Sequence, residues 1–248
     1  MKMKDDDLQA FRRDGFVVLG SVLSKSAVDR LARIIDLHRT SDPAAETGYG
    51  TVDSEVSRDY FEKSQDLPIW LADNGLPPAA SALLGATGAR PVRDRLFIKA
   101  PGTDERSMWH QDEPLTKEAA AAIVVLWIPL TQGAVNAAPL QVAIGSHRTS
   151  QPVLETGLAS WRAVTGPDTA LVEVSDIERK YDVVTVKADV GDVVALDGLV
   201  LHASQTNNSP VERIAYSVRF AASTSAAERQ APDLATGEAG TEALASTL

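Results

Sequence analysis

The sequence predicts a mainly β domain, a sandwich or barrel that follows a short helical preface. Two observations favour this class. Apolar residues at helical spacing are concentrated in the first third of the chain, whereas the later part contains short apolar runs separated by turn residues. The chain has 248 residues, which is enough to bury one core, and all-β domains of this length are commonly single units.

The preface contains two helices and a short strand. Residues 6–14 carry apolar side chains at helical spacing and predict the first helix. Residues 16–19 form an apolar run bounded by two glycines, which predicts a strand. A second helix is expected over residues 27–38, with Ser24 and Ser26 as alternative N-caps.

The segment that follows the preface is mixed. Residues 41–64 are polar and contain glycine, which is typical of a long loop or lid. Residues 67–84 predict a helix that is interrupted near the pair Pro77 and Pro78. Residues 91–99 alternate in polarity and predict a strand that ends before a Pro-Gly turn.

The remaining strands are short, apolar and rich in β-branched residues. They are expected within residues 119–130, with an apolar core at 123–128 and a helix as the alternative for 119–122, then around 140–144, and over 183–186, 193–201 and 213–220. Residues 157–179 have an irregular pattern, and residues 231–248 have the composition of a disordered tail. We therefore expect one domain over residues 1–248, with about 1–40 as the helical preface and about 90–222 as the β core.

Composition and charge exclude several classes of function. The net charge of −10 and the pI of about 4.9 disfavour binding to phosphate backbones, so we expect no nucleic-acid partner. The chain has no cysteine, which excludes disulfides, thiolate metal sites and a cysteine nucleophile. No apolar run has the length of a membrane span, and the charged start differs from a signal peptide. A cytoplasmic protein with no membrane association and no obligate protein partner is expected.

A candidate metal centre is indicated by His110 and Asp112, which stand two residues apart. Residues i and i+2 of an extended segment point to the same face, so both side chains can reach one ion. His202 would supply a second imidazole. Two imidazoles and one carboxylate suit non-haem Fe(II), because they leave several coordination positions open. The alternative for a lone His-x-Asp pair is an ordinary surface turn.

Arg213 complements this set. On the last predicted strand it shares one face with Ala215, Ser217 and Arg219, a small and cationic lining suited to an anionic ligand. The alternative is a solvent-facing edge strand. An iron site of this kind needs a co-reductant to activate dioxygen, and 2-oxoglutarate has a second carboxylate that the guanidinium fork can bind through two hydrogen bonds.

At these positions the chain resembles the phytanoyl-CoA dioxygenase family of Fe(II)/2-oxoglutarate-dependent oxygenases. The order and spacing of the matching motifs extend over roughly residues 8–222. The matching stretches are residues 11–19 (FRRDGFVVL), 109–112 (WHQD), 136–140 with 145–147, and 191–198 (GDVVALDG) through 202–204 to Arg213. Where the family often has Asn-Gly and Pro-Gly-Ser-His, this chain has Asn136-Ala137 and Ile144-Gly145-Ser146-His147, which concerns a supporting loop.

The resemblance implies a fold and a set of site residues. The fold would be a double-stranded β-helix, a jelly roll like that of cupins, with N-terminal and flanking helices. His110, Asp112 and His202 would ligate iron and carry the catalysis. Arg213 and Ser204 would hold the far carboxylate of 2-oxoglutarate, with Lys99 and Trp127 lining the co-substrate pocket. Core packing is the alternative for Trp127, and a structural role is expected for His147, the rival ligand.

The resemblance also implies the reaction. With 2-oxoglutarate and O2, such enzymes oxidise an unactivated C–H, most often by hydroxylation, and otherwise by epimerisation, desaturation or ring closure. The presence of Asp112 argues against halogenation, since related halogenases lack that carboxylate. One alternative is a cupin-like small-molecule-binding protein, and another is a metal hydrolase with the same ligands; neither needs a cation at Arg213. A third alternative is an inactive scaffold.

The substrate is expected to be a small molecule. Its candidate contacts are Tyr49, Glu113, Trp161, Arg162 and Arg219. Trp161 and Arg162 could alternatively attach their loop to the barrel. The acidic balance argues against coenzyme A esters, so an acyl-CoA hydroxylase is the second choice. The Ala- and Val-rich composition is typical of bacteria with GC-rich genomes. Such a source favours secondary-metabolite tailoring, for example in antibiotic biosynthesis.

Overall fold

A computed structural model describes residues 3–41, 54–58, 60–104, 106–112, 123–132, 137–148, 153–155, 170–172 and 174–223. The six α-helices within these ranges are α1 (Asp5–Asp14), α2 (Lys25–Ser41), α3 (Tyr60–Lys63), α4 (Asp66–Asp73), α5 (Leu76–Leu84) and α6 (Val174–Lys180). No helix in this part of the chain is long and apolar enough to cross a membrane.

Most of the described chain after α5 is strand and turn. The strands are β1 (Phe16–Leu19), β2 (Ser54–Arg58), β3 (Ala89–Lys99), β4 (Ser107–His110), β5 (Ile123–Pro129), β6 (Leu140–Ala143), β7 (Val153–Glu155), β8 (Ala170–Val172), β9 (Val183–Thr185), β10 (Val193–Asp197), β11 (His202–Ser204) and β12 (Arg213–Ala222). The mainly β prediction is confirmed.

Two antiparallel sheets form the body of the fold. The larger has six strands in the order β1-β10-β5-β12-β3-β2, and the smaller has four in the order β4-β11-β6-β9. Buried side chains from both sheets pack together, among them Trp127 and Ala215 from the larger and Val142 from the smaller. The strands β7 and β8 form a separate parallel pair. Two packed antiparallel sheets with N-terminal helices are the expected jelly-roll arrangement.

The strand β12 lies between β5 and β3 in the larger sheet, so it is an interior strand. On the face of β12 opposite Arg213, the side chains of Tyr216, Val218 and Phe220 are fully buried. They belong to the same apolar cluster as the buried side chains of the helices. Arg213 is only 2% exposed. The edge-strand alternative for this segment is therefore wrong, and the predicted division into an apolar and a cationic face is confirmed.

The strand predicted over residues 193–201 is shorter than expected. β10 ends at Asp197, whose carboxylate accepts the Leu199 N–H at 2.9 Å and whose carbonyl accepts the Val200 N–H at 2.9 Å. An aspartate that bonds to the backbone two residues later forms a turn and ends the strand. The chain then enters the other sheet, so His202 begins β11 instead of ending β10.

The helix break in the first half lies before the prolines. Gly75 adopts a left-handed conformation with φ of 69°, and α5 begins at the next residue. Pro77 and Pro78 lie in the first turn of α5, where the missing N–H has no intrahelical partner to lose. The helical segment is therefore interrupted at Gly75 and not at the two prolines.

Two predicted irregular segments contain regular structure. β2 and α3 occupy part of residues 41–64, and β8 and α6 occupy part of residues 157–179. Helix α6 is anchored by Ile177, which is fully buried. The predicted tail over residues 231–248 lies outside the described residues.

The turn between α1 and β1 is closely packed against the loop that follows β6. Gly15 has a φ of 84°, and a Cβ at this position would lie 2.5 Å from Nδ1 of His147 and 2.8 Å from a methyl carbon of Val200. His147 Nε2 lies 3.1 Å from the Arg12 carbonyl, and the Asp197 N–H donates to the Gly15 carbonyl at 2.8 Å. The turn therefore connects the helical preface to the strands that precede the site.

We expect Gly15→Ala to lower the free energy of unfolding by about 2–4 kcal/mol, because it combines a strained φ with overpacking against two side chains. Urea denaturation measures the loss. The matched control is Gly85→Ala, where φ is 63° but an added Cβ would have no atom within 4 Å. Its loss should be about 1 kcal/mol, and equal losses for the two variants would contradict the packing argument.

Candidate active site

Two histidines face each other across neighbouring strands of the smaller sheet. β11 pairs antiparallel with β4, and His202 lies directly opposite His110. Their ring centroids are 4.3 Å apart, with an angle of 50° between the ring planes. Facing side chains on adjacent antiparallel strands are close neighbours. The backbone register therefore brings together two imidazoles that are far apart in the sequence.

The segment that follows β4 carries Asp112 toward these rings. The Asp112 N–H donates to the Gly198 carbonyl at 2.9 Å, and Nε2 of the buried Gln111 donates to the Leu199 carbonyl at 2.5 Å. Both acceptors belong to the turn between β10 and β11. Gln111 was not predicted from the sequence, because the His-x-Asp pattern leaves its middle position unspecified.

The three side chains converge on one point. Asp112 Oδ1 lies 3.8 Å from His110 Nε2, and Asp112 Oδ2 lies 3.6 Å from His202 Nε2. One ligand atom from each residue lies within 4.8 Å of those of the other two. His202 Nδ1 is 3.0 Å from the Val200 carbonyl, which places its proton on Nδ1 and leaves the Nε2 lone pair directed at the cluster.

Asp112 is held in its charged form. Burial by itself would raise the pKa of this carboxyl, but the nearby Arg219 guanidinium, His202, His110 and Arg95 together lower the pKa well below its ordinary value. The Arg219 guanidinium donates a hydrogen bond directly to Asp112 Oδ1. An ionised carboxylate is the form that binds a divalent metal.

A cavity with about 440 Å³ of empty space, including its mouth, lies between the two sheets and contains the cluster. Both sheets contribute to its wall. The lining residues are Phe97, Ser107, His110, Asp112, Val125, Trp127, Leu140, Leu196, His202, Ala203, Ser204, Arg213 and Ser217. Clefts that bring a few polar groups together on an apolar lining are typical of small-molecule sites.

Arg213 places a buried cation in this wall. It donates to the Ala138 carbonyl at 3.1 Å, and its guanidinium carbon lies 5.2 Å from the centre of the Trp127 ring. Burial lowers its pKa to about 10. Within the described ranges, its Nε has no hydrogen-bond partner and no carboxylate pairs with its guanidinium. Since a buried charge without a counterion is costly, the pocket is suited to a ligand carboxylate.

Of the other three predicted co-substrate contacts, two line the cavity and one does not. Ser204 lines the cavity and donates to Ser107 Oγ at 2.8 Å. Trp127 also lines the cavity, beneath the Arg213 guanidinium. Lys99 is not among the lining residues, and its Nζ donates to the Gln205 carbonyl at 2.8 Å. We therefore leave Lys99 out of the co-substrate site proposed below.

Four of the five predicted substrate contacts lie outside the described residues, namely Tyr49, Glu113, Trp161 and Arg162. Arg219 is described, and its guanidinium is directed at Asp112.

The donor set fits a ferrous ion. Two imidazole nitrogens and a carboxylate from one side match the ligands of non-haem Fe(II) sites, and the cavity leaves space opposite them for a co-substrate. His147, the rival ligand, contacts the Arg12 carbonyl and is not part of the cluster.

The jelly roll and this site define the class of the non-haem Fe(II)/2-oxoglutarate-dependent dioxygenases, whose cofactors are iron and 2-oxoglutarate. The sequence profile of the phytanoyl-CoA dioxygenase family matches residues 11–215. The chain belongs to this family, and the resemblance inferred from its motifs is confirmed. Among functionally curated proteins, none matches the sequence significantly.

Solved structures confirm the fold. SnoK, a non-heme alpha ketoglutarate dependent carbocyclase from nogalamycin biosynthesis, is 19% identical and has a TM-score of 0.71, covering 89% of this chain and 85% of its own. The epimerase SnoN, in complex with Fe3+, alpha ketoglutarate and nogalamycin RO, is 19% identical with a TM-score of 0.71, covering 89% and 84%. EctD from S. alaskensis, with 2-oxoglutarate and 5-hydroxyectoine, is 21% identical with a TM-score of 0.67, covering 89% and 76%.

Proposed function

We propose that this dioxygenase oxidises an unactivated C–H bond of a small molecule, with His110, Asp112 and His202 as the iron ligands. The observation that carries the proposal is the convergence of these three side chains in one cavity with the buried guanidinium of Arg213. When bound, ferrous iron supplies the oxygen chemistry, in which 2-oxoglutarate and O2 give succinate, carbon dioxide and an oxidised substrate.

The chain's own residues would position the reactants. Arg213 would bind the far carboxylate of 2-oxoglutarate through its fork, and Ser204 would add a hydroxyl that Ser107 orients. Trp127 supports the guanidinium from one side and limits access of water to it. These roles agree with a cation that has no protein counterion among the described residues.

We propose secondary-metabolite tailoring as the context, with hydroxylation as the first choice of reaction and epimerisation, desaturation or cyclisation as alternatives to it. The similar folds of SnoK and SnoN, both from nogalamycin biosynthesis, support this context. Tyr49, Glu113, Trp161 and Arg162 stay predicted substrate contacts. A small-molecule-binding protein or a hydrolase with the same ligands would have no need of the buried Arg213.

The proposal is tested by the turnover of 2-oxoglutarate to succinate, measured with anaerobically purified protein, added Fe(II) and air, against a panel of small-molecule substrates. Turnover should require iron and should be lost in His110→Ala, because the variant lacks one of three ligands. A wild-type protein that binds neither Fe(II) nor 2-oxoglutarate would contradict the proposal.

A further inference from the structure

We propose that Arg219 is a positioning residue for the metal centre, which serves as the counterion of Asp112 and fixes the rotation of its carboxylate. The inference rests on the proposed function, since it assigns Asp112 to the metal. It concerns a residue that was expected to contact substrate. The guanidinium instead reaches the Asp112 carboxylate over a sequence separation of 107 residues.

The contact is buried and selective. The side chains of Arg219 and Asp112 are 9% and 8% exposed, so water screens the pair only weakly. Arg219 donates to Oδ1, which lies 3.8 Å from His110 Nε2, whereas Oδ2 accepts nothing from Arg219 and lies 3.6 Å from His202 Nε2. With Oδ1 hydrogen bonded to the guanidinium, Oδ2 would be the oxygen left free to bind an ion. Ligation through one oxygen keeps more coordination positions open for the co-substrate and O2 than ligation through both.

Comparison of the two arginines on β12 separates their roles. Arg213 and Arg219 project from the same face of one strand and are similarly buried. Arg219 is paired with a carboxylate of the protein, whereas Arg213 is hydrogen bonded to a neutral carbonyl. Arg219 is therefore assigned to the metal ligand Asp112, and Arg213 is left to bind an added anion.

Arg219 also makes the buried carboxylate compatible with the fold before any metal binds. A buried charge is costly unless it is paired and hydrogen bonded, and the guanidinium provides both the opposite charge and a donor. Partners that orient a ligand in this way commonly change metal affinity by roughly 10–100-fold when they are replaced.

The test is Co(II) binding to the full-length apoprotein, measured by calorimetry together with the visible absorption spectrum. Arg219→Gln should weaken Co(II) binding by roughly 10–100-fold and alter the Co(II) spectrum. Arg219→Lys, which keeps the charge but not the fork, should recover part of the affinity and retain an altered spectrum. The matched control is Arg179→Gln, which breaks an exposed pair with Asp176 and should change neither.

Wild-type affinity and spectrum in both Arg219 variants would overturn the inference, even if their thermal stability fell, because such a result indicates a purely structural ion pair. If Arg219→Gln does not fold, the Arg219→Lys variant decides by the same two measurements. Failure of the wild-type protein to bind Co(II) or Fe(II) would instead contradict the proposed function itself.

Discussion

Replacement of His202 by alanine is expected to reduce 2-oxoglutarate turnover by roughly a thousandfold or more, because the variant would bind iron much more weakly with one of its three proposed ligands removed. His202 is 6% exposed, and its Nε2 faces Asp112. Iron content by metal analysis and succinate production measure the two parts of the effect. Both should fall together, since the loss of turnover follows from the loss of the metal.

The matched control is His147→Ala. His147 is the other histidine of the predicted loop motif, but it contacts the Arg12 carbonyl outside the cluster. This variant should be less stable and should retain iron and turnover per folded molecule. Equal loss of iron in the His147 and His202 variants would show that the ligand assignment is wrong.

Replacement of Arg213 by methionine is expected to have opposite effects on co-substrate binding and on stability. Loss of the guanidinium should weaken 2-oxoglutarate binding by about 2–5 kcal/mol, roughly a hundredfold in Kd for 3 kcal/mol. The apoprotein should become more stable, because a buried cation whose pKa burial lowers to about 10 is replaced by an apolar side chain of similar length. A gain of about 1 kcal/mol would raise Tm by roughly 2–4 °C.

Calorimetric titration with 2-oxoglutarate and thermal unfolding of the apoprotein measure the two effects. Arg30→Met is the control, because Arg30 is 44% exposed and pairs with Asp73 at the surface, and its replacement should change neither quantity appreciably. Unchanged affinity for 2-oxoglutarate in Arg213→Met would favour the small-molecule-binding or hydrolase alternative.

Much of the centre could be predicted from local patterns. The two-residue spacing of His110, at the end of β4, and Asp112 just after it is visible in the sequence, and so is the alternation along β12. The position of His202 in the order of motifs also indicated a ligand. The end of β10 was misplaced, because residues 193–201 are almost continuously apolar and the turn depends on one aspartate bonding to its own backbone.

What could not be predicted depends on long-range pairing. The bond from Gln111 to the Leu199 carbonyl joins residues 88 apart, and the pair of Arg219 with Asp112 joins residues 107 apart. No periodicity relates such partners, because their distance is decided by the registers of several strands at once. Alternation showed that Arg219 faces inward, but only the packed sheets show which group it meets.

The strand β12 has consequences for how such a chain can diversify. On one face of the strand, Arg213 lines the cavity and Arg219 donates to Asp112, and on the other face Tyr216 and Phe220 are fully buried. Substitutions on either face of β12 are therefore expected to be harmful. New substrate specificities are expected to arise from substitutions in the connecting segments, which can vary in sequence while the proposed metal and co-substrate sites are unchanged.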